Sequence, residues 1–151
     1  MDSLLRKVLG ITSFLLLAAV ALVSCDSPLN TKTDSVTGRW YSIEQISQGA
    51  VAFQTYCEAC HGNEAQGTQE WKKRDAAGNL PPPPLNGTAH AWHHSLILLD
   101  QVIAEGGALY GGVMPGFSAQ LNASARLETI AYFQSLWNDE IYDTWQEINN
   151  Q

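Results

Sequence analysis

The chain has few of the residues from which metal sites and redox-active thiol pairs are built. It contains 3 Cys and 2 Met among 151 residues, and the cysteines form a single C-x-x-C pair. A structural zinc site usually takes four ligands from two such pairs, so the cysteine count argues against one. The sequence also lacks the βαβ pattern that surrounds a thioredoxin-like redox pair.

Positive charge is also scarce. The full chain has 8 Lys and Arg against 15 Asp and Glu, a formal net charge of −7 with His neutral. Without residues 1–24 the balance is 6 basic against 14 acidic residues, or −8. Such a chain should repel nucleic acid, and we expect its protein partners to meet it through basic surfaces.

One short motif carries most of the chemistry, Cys57-Glu58-Ala59-Cys60-His61. Two thiols three residues apart, followed at once by an imidazole, are the attachment site of a c-type haem. On one helical turn Cys57 and Cys60 point the same way and can each form a thioether, and His61 then becomes the proximal iron ligand. A disulfide between the two cysteines is the alternative, but it gives no reason for His61.

A haem iron bound by one His has a second axial position, whose occupant decides the function. Met1 is lost if a signal peptide is removed, which leaves Met114 as the one thioether of the mature chain. Its loop is rich in Gly and Pro, which suits a backbone that wraps closely around a flat cofactor. A buried Met that fills a gap is the alternative, and His90, His93 and His94 are rival ligands.

The amino terminus has the pattern of an export signal. Arg6 and Lys7 precede an apolar run over residues 8–23, which is short for a permanent membrane span. We expect residues 1–24 to be a signal peptide. Residues 25–38 are polar and predict a flexible tether.

Cys25 is the cysteine left over from the haem motif, and a leftover Cys in an exported protein needs an explanation. The sequence Leu22-Val23-Ser24-Cys25 resembles the lipobox of bacterial lipoproteins, in which the Cys is acylated and becomes the first mature residue. We therefore expect a lipid anchor at Cys25, with a free thiol as the alternative. Asp26 resembles a signal that keeps such lipoproteins in the inner membrane.

Helical spacing recurs along the rest of the chain, and no segment reads convincingly as a strand. Ser42 and Gln45 form a capping box before a helix whose apolar stripe includes both haem thiols. Gly49 in this helix costs about 1 kcal/mol relative to Ala, so we expect another helix to cross it closely. The sequence predicts an all-α fold.

Three further helices are predicted after the first. Ser95 caps a helix over Leu96 to Glu105, and Asn122 caps one that extends to Trp137. Beyond Glu140 a short terminal helix is expected to fold back onto the body. Its apolar face is predicted to comprise Ile141, Trp145 and Ile148.

The loop between the first two helices contains the one basic cluster of the mature chain, Trp71-Lys72-Lys73-Arg74. Short charge runs usually lie on solvated surfaces, and a docking patch is the other interpretation.

From Ser42 to Trp137 the chain resembles the class I cytochrome c family. The resemblance implies three core helices around one covalently attached haem. We expect this domain to cover residues 39–151, which include the short C-terminal helical extension predicted from helical spacing; the tail after Trp137 is a departure from the family. It also implies that the carbonyl of Pro83, or of its neighbour Pro84, accepts the N–H of His61. The matching residues are Gly49, Phe53, Cys57, Cys60, His61, the Pro83-Pro84-Leu85-Asn86-Gly87 turn, Met114-Pro115 and Ala131-Tyr132.

The function implied is one-electron transfer rather than enzymatic catalysis. With His61 and Met114 as ligands, the iron has no position left for a substrate. We expect a periplasm-facing, membrane-tethered carrier of electrons between respiratory partner proteins. Two alternatives are a haem enzyme or sensor in which Met114 dissociates, and a fixed electron-entry subunit of a larger dehydrogenase or oxidase.

Overall fold

The structure is a computed structural model, and it describes residues 38–150. The expected signal peptide, the lipidation site Cys25 and residues 25–37 of the expected tether lie outside the described residues. Among residues 38–150, no helix is both long enough and apolar enough to cross a membrane.

The described part of the chain is helical, as the sequence predicts. Leu80 and Gly112 pair in an isolated strand-like bridge. Two 3₁₀ turns cover Ala91–His93 and Ala108–Tyr110. The α-helices are α1 (Ile43–Tyr56), α2 (Glu58–His61), α3 (Leu96–Glu105), α4 (Ala123–Ser135) and α5 (Asp139–Asn149).

The predicted capping box starts α1. The hydroxyl of Ser42 accepts the amide of Gln45 at 3.1 Å, and the Gln45 side chain accepts the amide of Ser42 at 2.9 Å. The amides at a helix start have no partner within the helix, so each such cap stabilises it by about 1 kcal/mol.

The crossing expected at Gly49 is made by α4. A Cβ on Gly49 would overlap the backbone carbonyl of Glu128, so the two helix backbones are in direct contact. Next to this point Phe53 of α1 packs on Tyr132 of α4, with 5.0 Å between ring centroids. The contact fixes the angle at which α1 delivers the haem motif.

The caps predicted for α3 and α4 are also present. The Ser95 hydroxyl accepts the amide of Leu98 at 3.1 Å, and the Asn122 side chain accepts that of Ala125 at 2.9 Å. Helix α4 is buried on more than one side. Its buried residues include Thr129, Ile130 and Gln134. It is therefore the central helix of the core.

Three details differ from the sequence prediction. The stripe through Cys57 and Cys60 is divided between two helices, because α1 ends at Tyr56 and α2 begins at Glu58, with Cys57 between them at a φ of −118°. Trp137 lies beyond the end of α4, although it is buried. Ile148 is 42% exposed, although Trp145 of the same predicted face is buried, together with Tyr142.

Helix α5 folds back onto the body, as predicted. The indole N–H of Trp145 donates to the carbonyl of His94 at 2.9 Å. The side chain of Asn149 accepts the amide of Leu96 at 3.2 Å. The C-terminal extension thus holds the segment that leads into α3.

Candidate haem site

A cavity of about 390 Å³ lies where the end of α1, helix α3 and the Met114 loop meet. Its volume is in the range of sites for small molecules and cofactors. The five residues that the sequence analysis assigned to a haem site within the described chain all line it: Cys57, Cys60, His61, Pro83 and Met114. The fold brings together residues that are up to 57 positions apart in the sequence.

The imidazole ring of His61 lines this cavity, and a hydrogen bond fixes its orientation. Its side chain is buried, and its Nδ1 lies 2.9 Å from the carbonyl oxygen of Pro83. Of the two prolines that the sequence left open, Pro83 is the partner. Burial lowers the pKa of His61, and the hydrogen bond to Pro83 opposes that shift. A neutral imidazole with Nδ1–H directed at a carbonyl keeps Nε2 available for a metal.

The two cysteines differ in exposure. Cys57 is 7% exposed, whereas Cys60 is exposed. Burial, followed by the charge of Cys60, raises the pKa of the Cys57 thiol to about 11, so this thiol is protonated at neutral pH. Cys57 and Cys60 form no disulfide with each other. The turn is closed by the amide of His61, which donates to the carbonyl of Cys57 at 2.9 Å.

The Met114 loop is folded against the end of α3. The amide of Gly107 donates to the carbonyl of Met114 at 2.9 Å, and that of Phe117 to the carbonyl of Ile103 at 2.9 Å. A Cβ at Gly106 or Gly116 would lie within 2.7 Å of a backbone carbonyl oxygen. The glycines are therefore required by this close approach, which sets Met114 in the cavity wall.

Two of the three rival imidazoles also reach the cavity. His90 and His94 line it, with 5.1 Å between their ring centroids. His93 instead stacks on Trp92 at 3.5 Å and is not among the lining residues. The choice of Met114 as second axial ligand stays a prediction, with His90 and His94 as its competitors.

Trp71 is a cavity residue that the sequence analysis did not assign. It lines the cavity and stacks on His90, with 4.6 Å between centroids and 9° between planes. No pattern in the sequence indicated this role, because Trp71 is isolated in a polar loop and His90 is 19 positions away. Trp71 and Leu80 thus bring this loop to the site, whereas residues 72–78 are exposed, as expected for a short charge run.

These residues fit a covalently attached haem. The site combines two cysteines, an oriented neutral imidazole and a thioether with a wall formed largely by apolar side chains and prolines. Charged side chains are absent from residues 76–99 and 106–125, which supply much of that wall. Within residues 38–150, no cluster of three or more His, Cys, Asp or Glu side chains could bind a separate metal ion.

One family model matches the chain. It is described as Cytochrome C oxidase, cbb3-type, subunit III, and the match covers residues 44–133, more than half of the chain. The matched segment contains Cys57, Cys60, His61, Pro83 and Met114, and it ends before α5. No curated protein and no solved structure was found to match.

Proposed function

We infer that this chain, which belongs to the family described as cytochrome c oxidase, cbb3-type, subunit III, transfers single electrons through one haem c. The fold is the all-α cytochrome c fold, and the family is typically one of electron-transfer proteins rather than enzymes. The observation that supports this function best is the convergence of the C-x-x-C-H motif and Met114 on one cavity. A single C-x-x-C-H motif gives a single haem.

Each residue has a role in holding the cofactor. Cys57 and Cys60 would each form a thioether to it, and His61 would be the proximal ligand, oriented by the carbonyl of Pro83. Met114 would be the second axial ligand. The haem supplies a one-electron couple when bound.

The surroundings determine what this couple can do. A thioether ligand and an apolar, water-poor wall both disfavour the more highly charged ferric state, so they raise the reduction potential. Closing both axial positions leaves no position for a substrate at the iron. Cys60, which is exposed and lines the cavity, would hold the cofactor close to solvent, where a one-electron exchange with a partner protein could take place.

We propose that this carrier is exported and tethered to a bacterial membrane by lipid at Cys25. The support is the lipobox-like sequence that ends at Cys25 and the polar segment of residues 26–38 that follows it. The domain would then face the periplasm, on the inner membrane, and exchange electrons with respiratory partner proteins. More than one acyl chain is needed for stable anchoring, which bacterial lipoproteins provide.

The name of the family favours a second candidate. A protein of this family could be a fixed electron-entry subunit of an oxidase or dehydrogenase rather than a mobile shuttle. The chemistry at the haem would be the same, and the two candidates differ in the lifetime of the complex. Co-purification of the protein with other subunits from detergent-solubilised membranes would favour the fixed subunit.

Optical and near-infrared spectra of the haem-loaded protein test the axial ligands. We expect low-spin iron with the weak sulfur-to-iron charge-transfer band at the red end of the spectrum. Met114→Ala should lose this band, and the matched variants His90→Ala and His94→Ala should keep it. A high-spin wild-type protein, or a band that persists in Met114→Ala, would contradict the assignment and favour a haem enzyme or sensor, or a second His ligand.

Mass spectrometry of the membrane-extracted protein tests the anchor separately. We expect the mature chain to begin at Cys25 and to have a mass increased by acyl chains. An unmodified Cys25 thiol would contradict the tether without affecting the haem site.

A further inference from the structure

Three large apolar side chains are exposed in the segment that leads to Met114. The side chains of Leu109, Val113 and Tyr110 are 82%, 64% and 52% exposed. Val113 and Tyr110 also line the cavity, so their exposed parts surround its opening. Contiguous exposed apolar residues at a site mouth are typical of interaction surfaces.

The basic cluster of residues 71–74 is hydrogen-bonded to the same segment. The amide of Leu80 donates to the carbonyl of Gly111 at 3.0 Å, and Arg74 lies 3.5 Å from that carbonyl while donating to Gly78 at 2.6 Å. These bonds join the loop of residues 62–80 to the Met114 loop. We call the combined face the rim surface; it comprises Lys72, Lys73, Arg74, Leu109, Tyr110 and Val113.

The other cations of the described chain are neutralised by partners. Arg39 pairs with Asp139 at 2.8 Å, and Arg126 binds Asp100 with two hydrogen bonds, at 2.7 and 3.2 Å. Residues 38–150 contain 5 Lys and Arg against 12 Asp and Glu, and three of the five cations are on the rim surface. Positive charge is therefore concentrated beside the cavity mouth of an otherwise acidic protein.

Two acidic residues lie near these cations. Glu70 is 3.3 Å from Lys73, in a pair whose side chains are 75% and 70% exposed and which water therefore weakens. The carboxylate of Asp75 is occupied by the amides of Ala77 and Asn79 in its own turn. The local balance over residues 70–75 remains positive, at three cations to two anions.

We propose that the rim surface is the docking site for a redox protein whose contact face is apolar at the centre and acidic around it. This inference rests on the proposed electron-transfer function, and it names the chemistry of the partner. At distances beyond about 10 Å salt screens the remaining acidic surface, so local charges at the contact decide the sign of the interaction. The net negative charge of the chain predicts a basic partner. At this contact face, the local positive charge favours an acidic one instead.

Stopped-flow reduction of the oxidised, haem-loaded protein by two reductants of opposite charge tests this proposal. The first is the hydroquinone form of flavodoxin, an acidic protein, and the second is the small cation hexaammineruthenium(II). The variants are Lys72→Gln with Lys73→Gln, and Leu109→Ser at a position that does not line the cavity. The matched control is Ser47→Glu with Gln48→Glu, which makes the same change in net charge on the exposed side of α1.

At about 0.1 M ionic strength we expect the double Lys variant to slow reduction by flavodoxin about threefold or more, an effect that about 1 M salt should remove. Leu109→Ser should also slow it, at all salt concentrations. The α1 control should remain close to wild type, and hexaammineruthenium should reduce every protein at least as fast as wild type.

Equal slowing by the control and the Lys variant, or no effect of the Lys variant, would overturn the rim surface as docking site. Failure of hexaammineruthenium to reduce the wild-type protein would instead contradict the proposed electron-transfer function. The two outcomes are distinguished in the same experiment.

Discussion

Gly67 lies against the Pro83 carbonyl that accepts the hydrogen bond of His61. The distance from that carbonyl oxygen to Nδ1 of His61 is 2.9 Å, and the amide of Gly67 donates to the His61 carbonyl at 2.7 Å. A Cβ on Gly67 would overlap the Pro83 carbonyl group. Three residues from separate parts of the site therefore fix the proximal imidazole.

Gly67→Ala should consequently displace the Pro83 carbonyl and weaken its hydrogen bond to His61. A less basic imidazole stabilises ferric iron less, so we expect a higher midpoint potential by spectroelectrochemistry. The control is Gly78→Ala. Gly78 also has a positive φ, +86° against +58° for Gly67, but a Cβ there would meet no other atom within 4 Å. Equal potentials in the two variants would show that the hydrogen bond does not tune the site.

Gly49→Ala should destabilise the whole fold, because the added Cβ would separate α1 from α4. Overpacking of this kind costs about 1–3 kcal/mol, and backbone contact places this site at the upper end. Denaturant unfolding of the haem-loaded protein measures the loss. The control Ala50→Gly lowers helix propensity in the same helix by about 1 kcal/mol without a steric clash. If Gly49→Ala is no less stable than this control, the close crossing of α1 and α4 is contradicted.

Arg39 should contribute more to stability than its ion pair suggests. Its guanidinium donates to the backbone carbonyls of Gln134 and Trp137 and lies 4.4 Å from the centre of the Tyr142 ring. Arg39→Met should lower the free energy of unfolding by about 2–3 kcal/mol, since it leaves those acceptors unsatisfied. Asp139→Asn should cost under about 1 kcal/mol, because the Asp139 side chain is 93% exposed.

Stability should fall when the pH is lowered below about 6.5, where an unfolded imidazole begins to bind its proton. Burial, and then the neighbouring imidazoles, lowers the pKa of both His90 and His94 in the folded chain. The unfolded state therefore binds more protons in this window. Urea unfolding at pH 7.5 and 5.5 should show the difference, and His90→Phe, which can keep the stack on Trp71, should reduce it. An unchanged difference would exclude His90 as a cause.

Local signals in the sequence were sufficient for much of the fold. The caps at Ser42, Ser95 and Asn122 were identified correctly, because a cap is a contact between residues three positions apart. Gly49 could be interpreted as a helix crossing because a helix-interior Gly needs compensation. The helix α5 was placed correctly and Trp145 is buried as predicted, but Ile148 is 42% exposed, since helical spacing alone does not say where a helix end leaves the core.

By itself, the sequence determined that the chain has one C-x-x-C-H motif, an all-α pattern and a single Met besides Met1, because each of these is a matter of residue type and short spacing. Tertiary structure decided which proline meets His61, which histidines reach the cavity, and that Trp71 stacks on His90. It also placed the basic cluster beside the Met114 loop. These contacts join residues about 20 to 40 positions apart, and they depend on how loops pack on the helices, which no local pattern encodes.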